Sequence, residues 1–324
     1  MCTAITLKTK DHYFGRTLDH TCSYGEQVTI TPRAFPLPFR HTDTVERHLA
    51  IIGMAHVAGG YPLYYEACNE AGLAMAGLNF VGNAHYEPPA EGARNIATFE
   101  LIPWLLGQCR TVAEAVAQLK ALRLVNTPFS RELPPSQLHW LLADRTEAVT
   151  VEAMADGLHI HQNPVGVLTN NPPFDQQLLR LNDYMALSPR APENRFSARL
   201  ALKPYSFGMG AMGLPGDLSS PSRFVRAAFA RQNAVCAPEE DASVSQFFHL
   251  LGAVCQPRGC TEVEDGVFEI TTYASCCNTD KGIYYYQTYE NPRITAVELH
   301  RENLEGDRLI RYPLLQETDI CRQN

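Results

Sequence analysis

The chain is built from short, largely apolar runs rich in β-branched and aromatic residues, interrupted by longer stretches whose apolar residues recur at helical spacing. Cys2–Lys8 and His12–Asp19 are the first two short runs, and the polar Thr9-Lys10-Asp11 between them predicts a hairpin. Further strands are expected at Gln27–Thr31, Leu49–His56, Pro62–Cys68 and Gly72–Asn79. The period then changes. Ala97–Cys109 reads as a helix, and Thr111-Val112-Ala113-Glu114 is a capping box opening another, with Val112, Val116, Leu119 and Leu122 as its apolar stripe. Strand patterning returns at Leu138–Ala143, Ala148–Ala153 and Gly157–His161. Asp175–Leu187, Ser222–Gln232 and Ser243–Val254 read as helices whose apolar positions belong to a core. The tail reads as strands at Val267–Ala274, Gly282–Thr288, Thr295–His300 and Arg308–Tyr312.

Two clusters of strands, separated and flanked by helices, suit a layered α/β domain, although the pattern leaves the layer order open. No linker or internal repeat divides the 324 residues, so residues 1–324 are expected to form one domain. Ser188–Lys203 is polar and proline-containing and reads as an excursion able to contact a neighbouring subunit.

Composition narrows the function. A net charge of −8 argues against nucleic acid as a partner. No apolar run approaches the length of a membrane span. The start lacks a basic n-region and an apolar h-region, so it does not read as a signal peptide, and a cytoplasmic protein is expected. The ten cysteines are scattered and read as reduced, mostly buried thiols. Cys255–Cys260 and Cys276-Cys277 fit no zinc spacing, and His159 and His161 read as surface or core residues, so no metal site is expected.

The chemistry concentrates at the beginning. Removal of Met1 is normal when a small residue follows, and it leaves Cys2 with a thiol and an α-amine on one residue. An α-amine titrates near 7.7–8.0 and a thiol near 8.5, so the amine can take the thiol proton at about neutral pH. Alone, a cysteine at position 2 reads as any small residue. The hairpin changes that, because it returns Arg16 and Asp19 beside the N-terminus. A cation next to a thiol favours the thiolate, and a carboxylate can orient an amine. Arg16 and Asp19 by themselves read equally well as a strand-end ion pair.

Five segments together resemble the choloylglycine hydrolases, the bile salt hydrolases and penicillin V acylases among the N-terminal-nucleophile hydrolases. They are Met1-Cys2-Thr3, Phe14-Gly15-Arg16-Thr17-Leu18-Asp19, Ala76-Gly77-Leu78-Asn79-Phe80, Val167-Leu168-Thr169-Asn170-Asn171-Pro172, and Gly213 through Phe224. Their order and spread carry the resemblance over essentially the whole chain. It implies an α+β fold, the four-layer αββα sandwich of N-terminal-nucleophile hydrolases, with Cys2 opening a central strand and a homotetrameric assembly. The resemblance also implies catalytic roles for Cys2, Arg16, Asp19, Asn79, Asn170 and Arg223, substrate contacts from Leu18 and Asn79, and no cofactor. The two asparagines suit an oxyanion site, since an amide supplies N–H donors without charge. Arg16 and Arg223 are the cations expected to serve an anionic substrate. Departures are a shorter first hairpin turn, His20 where an aromatic often follows the aspartate, and Thr17 where asparagine is common.

The expected reaction is cleavage of glycine- and taurine-conjugated bile acids through a Cys2 thioester, with acyl transfer to other amines as a side reaction. Asn79 favours the bile salt branch, because penicillin-preferring members often carry tyrosine there. Penicillin V and N-acyl homoserine lactones are the alternative amides. A catalytically silent binding protein with Met1 retained is the alternative of another class.

Overall fold

The computed structural model describes residues 1–324. Two antiparallel sheets form its middle. The strands are β1 Cys2–Lys8, β2 His12–His20, β3 Gln27–Thr31, β4 Ile51–Ala58, β5 Tyr61–Asn69, β6 Ala74–Asn79, β7 Arg94–Ala97, β8 Leu122–Val125, β9 Leu138–Ala143, β10 Ala148–Met154, β11 Gly157–Gln162, β12 Val167–Leu168, β13 Glu262–Glu264, β14 Val267–Phe268, β15 Ile270–Asn278, β16 Ile283–Thr288, β17 Thr295–Glu298 and β18 Ile310–Pro313. One sheet runs β12-β1-β2-β15-β16-β17 and the other β11-β10-β9-β6-β5-β4-β3-β18. The helices are α1 Leu101–Gln108, α2 Val112–Leu119, α3 Phe174–Arg180, α4 Ser220–Gln232 and α5 Glu240–Gly252.

The period of two along each strand sorts side chains into two cores. In the eight-stranded sheet, Ile52, Met54, Ala76 and Leu141 join the core that contains Cys2, Ala4 and Ile5 of β1. Their chain neighbours Ile51, Ala55, Met75 and Leu142 point the other way, onto Leu101, Leu105 and Val112 of α1 and α2. Phe224 of α4 and Phe247 of α5 pack on the outer face of the six-stranded sheet. The layers are therefore helix, sheet, sheet, helix. Both faces of each sheet are covered, which is why the central strands read as continuous apolar runs. No helix is long and apolar enough to cross a membrane.

Local chemistry sets the elements near the site. Gly15 lies where β2 presses on β15, and a Cβ there would stand 2.0 Å from the Ser275 carbonyl oxygen. Only glycine allows that approach, which holds Arg16 against the inter-sheet space. Thr111 Oγ1 accepts from the Glu114 backbone N at 3.2 Å and starts α2 as its sequence predicts. Pro221 stands in the first turn of α4, where its missing N–H costs nothing.

Several predicted boundaries move. Ala97 closes a strand, because Arg94–Ala97 pairs in parallel with Leu122–Val125, and α1 begins only at Leu101. Leu122 accordingly leaves the apolar stripe of α2 and sits in β8. The helix expected over Asp175–Leu187 is α3 followed by a tighter turn at Leu181–Tyr184, a distinction that hydrophobic period does not encode. The strand expected at Val267–Ala274 is interrupted between β14 and β15.

Candidate active site

The first hairpin forms as expected, and the structure gives its register. Cys2 pairs with Leu18, Thr3 with Thr17 and Ala4 with Arg16. Cys2 is 3 % exposed and opens onto a cleft of about 450 Å³ between the sheet ends and the 129–138 segment. Two residues from distant segments fix its peptide group. Its backbone N donates to Asn170 Oδ1 at 2.8 Å, and Arg223 Nη1 donates to its carbonyl oxygen at 2.6 Å. Arg223 Nη2 also donates to Asn170 Oδ1, at 2.8 Å, and Nη1 to Thr3 Oγ1 at 2.5 Å.

Asp19 is 1 % exposed and saturated with donors. Its Oδ1 accepts from Thr271 Oγ1 at 2.6 Å, and its Oδ2 from Gln256 Nε2 at 3.3 Å and Thr17 Oγ1 at 3.4 Å. Arg223 Nη1 lies 3.8 Å from Oδ2. Burial lowers the Arg223 guanidinium from its ordinary value, and Asp19 and Cys2 oppose that.

This geometry corrects one expectation. Arg223 was a candidate cation for an anionic substrate, but it is fully buried and does not line the cleft. Its Nε donates to Leu218 O at 3.0 Å, and its other nitrogens are held by Cys2, Thr3 and Asn170. Its charge answers Asp19 and the strand start. Arg16 does line the cleft. Its Nε donates to Thr17 O at 3.1 Å and its Nη1 to Gly77 O at 2.6 Å, while Nη2 has no protein partner. Burial works against the Arg16 charge, but Cys2, Tyr273, Glu66 and Asp19 together hold the guanidinium above its ordinary value.

The two asparagines are adjacent but do different things. Asn170 Nδ2 donates to the Asn79 carbonyl oxygen at 2.8 Å, so its amide ties β6 to β1. Asn79 ends β6 with its side chain exposed to the cleft. It is the free amide of the pair. Leu18, His20, Tyr24, Phe99, Phe129 and Leu133 give the cleft a mostly apolar wall.

Met1 extends the strand outward. Its ammonium donates to Asp19 O at 2.8 Å and pairs with the Glu269 carboxylate. Burial lowers this amine from its usual value, partly offset by Cys2 and Asp19. All ten cysteines are free thiols, and no cluster of three His, Cys, Asp or Glu side chains could hold a metal ion. His159 and His161 stack at 5.9 Å on β11, half-buried and away from the cleft.

Sequence reasoning overlooked Glu66, Thr271, Gln256 and Glu269, which surround the site from behind. Glu66 carried a usable signal, being the one charge within the apolar run Tyr61–Cys68, and buried charges need partners. Thr271 and Gln256 carried none, since uncharged polar residues at strand and loop positions are ordinary.

Comparison with known proteins gives the family and the fold. The sequence family of linear amide C–N hydrolases, choloylglycine hydrolase family, matches residues 2–312. The bile salt hydrolase/transferase of Lactiplantibacillus plantarum is 54 % identical over 324 residues, covering 100 % of both chains. That of Clostridium perfringens is 35 % identical over 330 residues, again covering 100 % of both. The crystal structure of a mutant conjugated bile acid hydrolase from Clostridium perfringens superposes with a TM-score of 0.92 at 34 % identity, covering 100 % of both chains. Penicillin V acylase from Agrobacterium tumefaciens shares the fold, with a TM-score of 0.74 at 20 % identity, covering 96 % of this chain and 90 % of that one.

Proposed function

Because the chain belongs to the choloylglycine hydrolase family and is therefore a hydrolase of linear amide C–N bonds, we propose that it cleaves glycine and taurine conjugates of bile acids through Cys2. One observation carries the reading. A mostly apolar cleft of about 450 Å³ is lined by the buried Cys2 and the free amide of Asn79. That volume lies within the range of small-molecule sites, and its apolar wall suits a fused hydrocarbon ring system with an amide at its tip.

In the proposed mechanism Met1 is removed and residues 2–324 act as one domain. The freed Cys2 amine takes the place of the peptide N that donates to Asn170 Oδ1. It accepts the thiol proton, and Cys2 Sγ attacks the amide carbonyl. Asn79 and a backbone amide face the developing oxyanion. Asn170, which does not line the cleft, holds the Cys2 nitrogen and the Asn79 main chain rather than the oxyanion the resemblance implied. The C–N bond breaks as the amine returns the proton to the departing glycine or taurine nitrogen. Water, deprotonated by the same amine, then attacks the thioester and releases the Cys2 thiolate. A second amine in place of water gives acyl transfer, a reading supported by the hydrolase/transferase name of the relatives. Arg16, which lines the cleft with Cys2 and leaves its Nη2 unpaired, supplies positive charge to the thiolate, Asp19 and Arg223 hold the strand start, and Leu18 contacts substrate.

A homotetramer is part of the same proposal. The excursion following α3 leaves Phe196, Tyr205 and Phe207 exposed on one chain, with Phe207 fully so. Large exposed apolar groups in one segment mark a surface that a neighbour covers.

The test is amine release from glycocholate and taurocholate under reducing conditions, with penicillin V in parallel. Release from the bile salts and little from penicillin V is expected. The reverse moves the substrate to the acylase branch. Silence in every tube, with Met1 still attached, favours a binding protein.

A further inference from the structure

Glu66 has no part in the mechanism above, yet it is a buried carboxylate with three hydroxyl donors. It sits on β5 at 1 % exposure and points across the inter-sheet space. Tyr273 Oη donates to its Oε2 at 2.7 Å, Ser275 Oγ to its Oε1 at 2.9 Å, and Tyr284 Oη to the same Oε1 at 2.5 Å. Three hydroxyl donors match an ionised carboxylate, which only accepts. Burial and the adjacent carboxylate hold both phenols well above their ordinary values, so each keeps the proton it donates. Burial also raises the Glu66 carboxyl, while Arg16, Tyr284, Tyr273 and Ser275 oppose that rise.

The charge facing this carboxylate is Arg16, whose Nε lies 3.8 Å from Glu66 Oε2. Arg16 lines the cleft together with Cys2, so its charge serves both the Glu66 carboxylate and the Cys2 thiolate when that forms. Its Nε and Nη1 are committed to Thr17 O and Gly77 O, which aims the one unpartnered nitrogen, Nη2, away from those carbonyls. A buried guanidinium needs a counter-charge before any thiolate forms, and Glu66 supplies it from the opposite sheet.

We propose that Glu66 is a positioning residue for Cys2, fixing the Arg16 guanidinium and sharing its charge, so that the carboxylate and the thiolate compete for one cation. Other titratable groups facing Glu66 are Tyr273 and Cys277 from β15, Tyr284 from β16 and Tyr65 on its own strand. Those facing Cys2 are Asp19, Arg16, Arg223 and the terminal amine. Among them Glu66 touches Arg16 but not Cys2, and this separates charge sharing from direct contact.

The competition gives variants of opposite sign. Glu66→Gln keeps the shape and one acceptor oxygen, turns the other oxygen into an NH2 donor, and removes the negative charge, so Arg16 acts wholly on Cys2. Tyr284→Phe keeps the charge but removes one hydroxyl from Oε1, so the carboxylate leans harder on Arg16. The readout is the pH midpoint of iodoacetamide alkylation at Cys2, measured on the N-terminal peptide by mass spectrometry. Glu66→Gln is expected to lower the midpoint by about one pH unit, and Tyr284→Phe to raise it. Glu66→Asp restores the wild-type midpoint if charge is what matters. Unchanged midpoints, or shifts of the same sign in both variants, overturn the proposal. Should Glu66→Gln not fold, the sign of the Tyr284→Phe shift decides alone.

The effect on turnover rests on Cys2 being the nucleophile, whereas alkylation needs no substrate. A shifted midpoint in a protein inactive on bile salts leaves this inference standing and removes the substrate assignment. Bile salt turnover with unmoved midpoints does the opposite.

Discussion

Arg223 Nη2 and the backbone N of Cys2 donate to the same atom, Asn170 Oδ1, each at 2.8 Å. One amide oxygen thereby joins three segments that are far apart in the chain, at Cys2, Asn170 and Arg223. Arg223 closes the ring by donating to the Cys2 carbonyl oxygen. The nucleophile is thus held at both ends of its peptide unit, and neither clamp intrudes on the cleft. This is preorganisation by parts remote from the substrate.

Arg223 is buried as a counter-ion, so removing its charge should cost stability as well as rate. Arg223→Met keeps the apolar stem but leaves Asp19 without its nearest cation. A loss of about 3–5 kcal/mol in urea unfolding is expected, together with a fall in kcat. A loss below about 1 kcal/mol contradicts the counter-ion role.

Asn79 should behave in the reverse way. Its side chain is exposed to the cleft, and only its main-chain oxygen is held, by Asn170. Asn79→Ala is expected to change unfolding free energy by no more than about 0.5 kcal/mol while lowering kcat about 10²–10³-fold. Wild-type kcat in this variant removes Asn79 from the oxyanion site.

Phe129 tests the apolar wall, since it lines the cleft opposite the strand ends. Phe129→Ala is expected to lower kcat/KM for conjugated bile acids by about tenfold or more, mainly through KM, because ring contact acts on ground and transition states alike. An equal kcat/KM for the two proteins argues that the hydrocarbon body lies elsewhere.

His12 gives a pH dependence independent of catalysis. It is buried, with its Nδ1 2.8 Å from Thr279 Oγ1, and burial pushes the imidazole down to about 4. The unfolded chain takes up this proton near pH 6.5. Between those values the unfolded state binds more protons, so stability is full above pH 6.5 and falls as pH drops toward 4. The single-site loss is about 3 kcal/mol across the window. His12→Gln should flatten the slope of unfolding free energy over that range, and an unchanged slope assigns the acid sensitivity to other groups.

The legible parts of this protein were those with short-range signatures. The Cys2–Lys8 and His12–Asp19 hairpin and the return of Arg16 and Asp19 beside the N-terminus follow from two runs and a polar turn. The capping box at Thr111 is equally local. The role of Arg223 was less legible, because an arginine read as a substrate cation has the same sequence appearance as one sealed against Asp19. Glu66 could be seen as an anomaly in an apolar strand, but its partners Tyr273, Ser275 and Tyr284 lie about two hundred residues away. Layer order had the same obstacle, since alternating residues such as Ile51 and Ile52 are both apolar and hide which face meets which core. The short strands Arg94–Ala97 and Leu122–Val125 were missed because each depends on the other for its pairing.

The most direct test of the account is the mass of the N-terminal peptide from enzyme acid-quenched during turnover of taurocholate. The account predicts a peptide that starts at Cys2 and carries the cholyl group as a thioester. An active enzyme that retains Met1, or an acyl group found on any other residue, contradicts it.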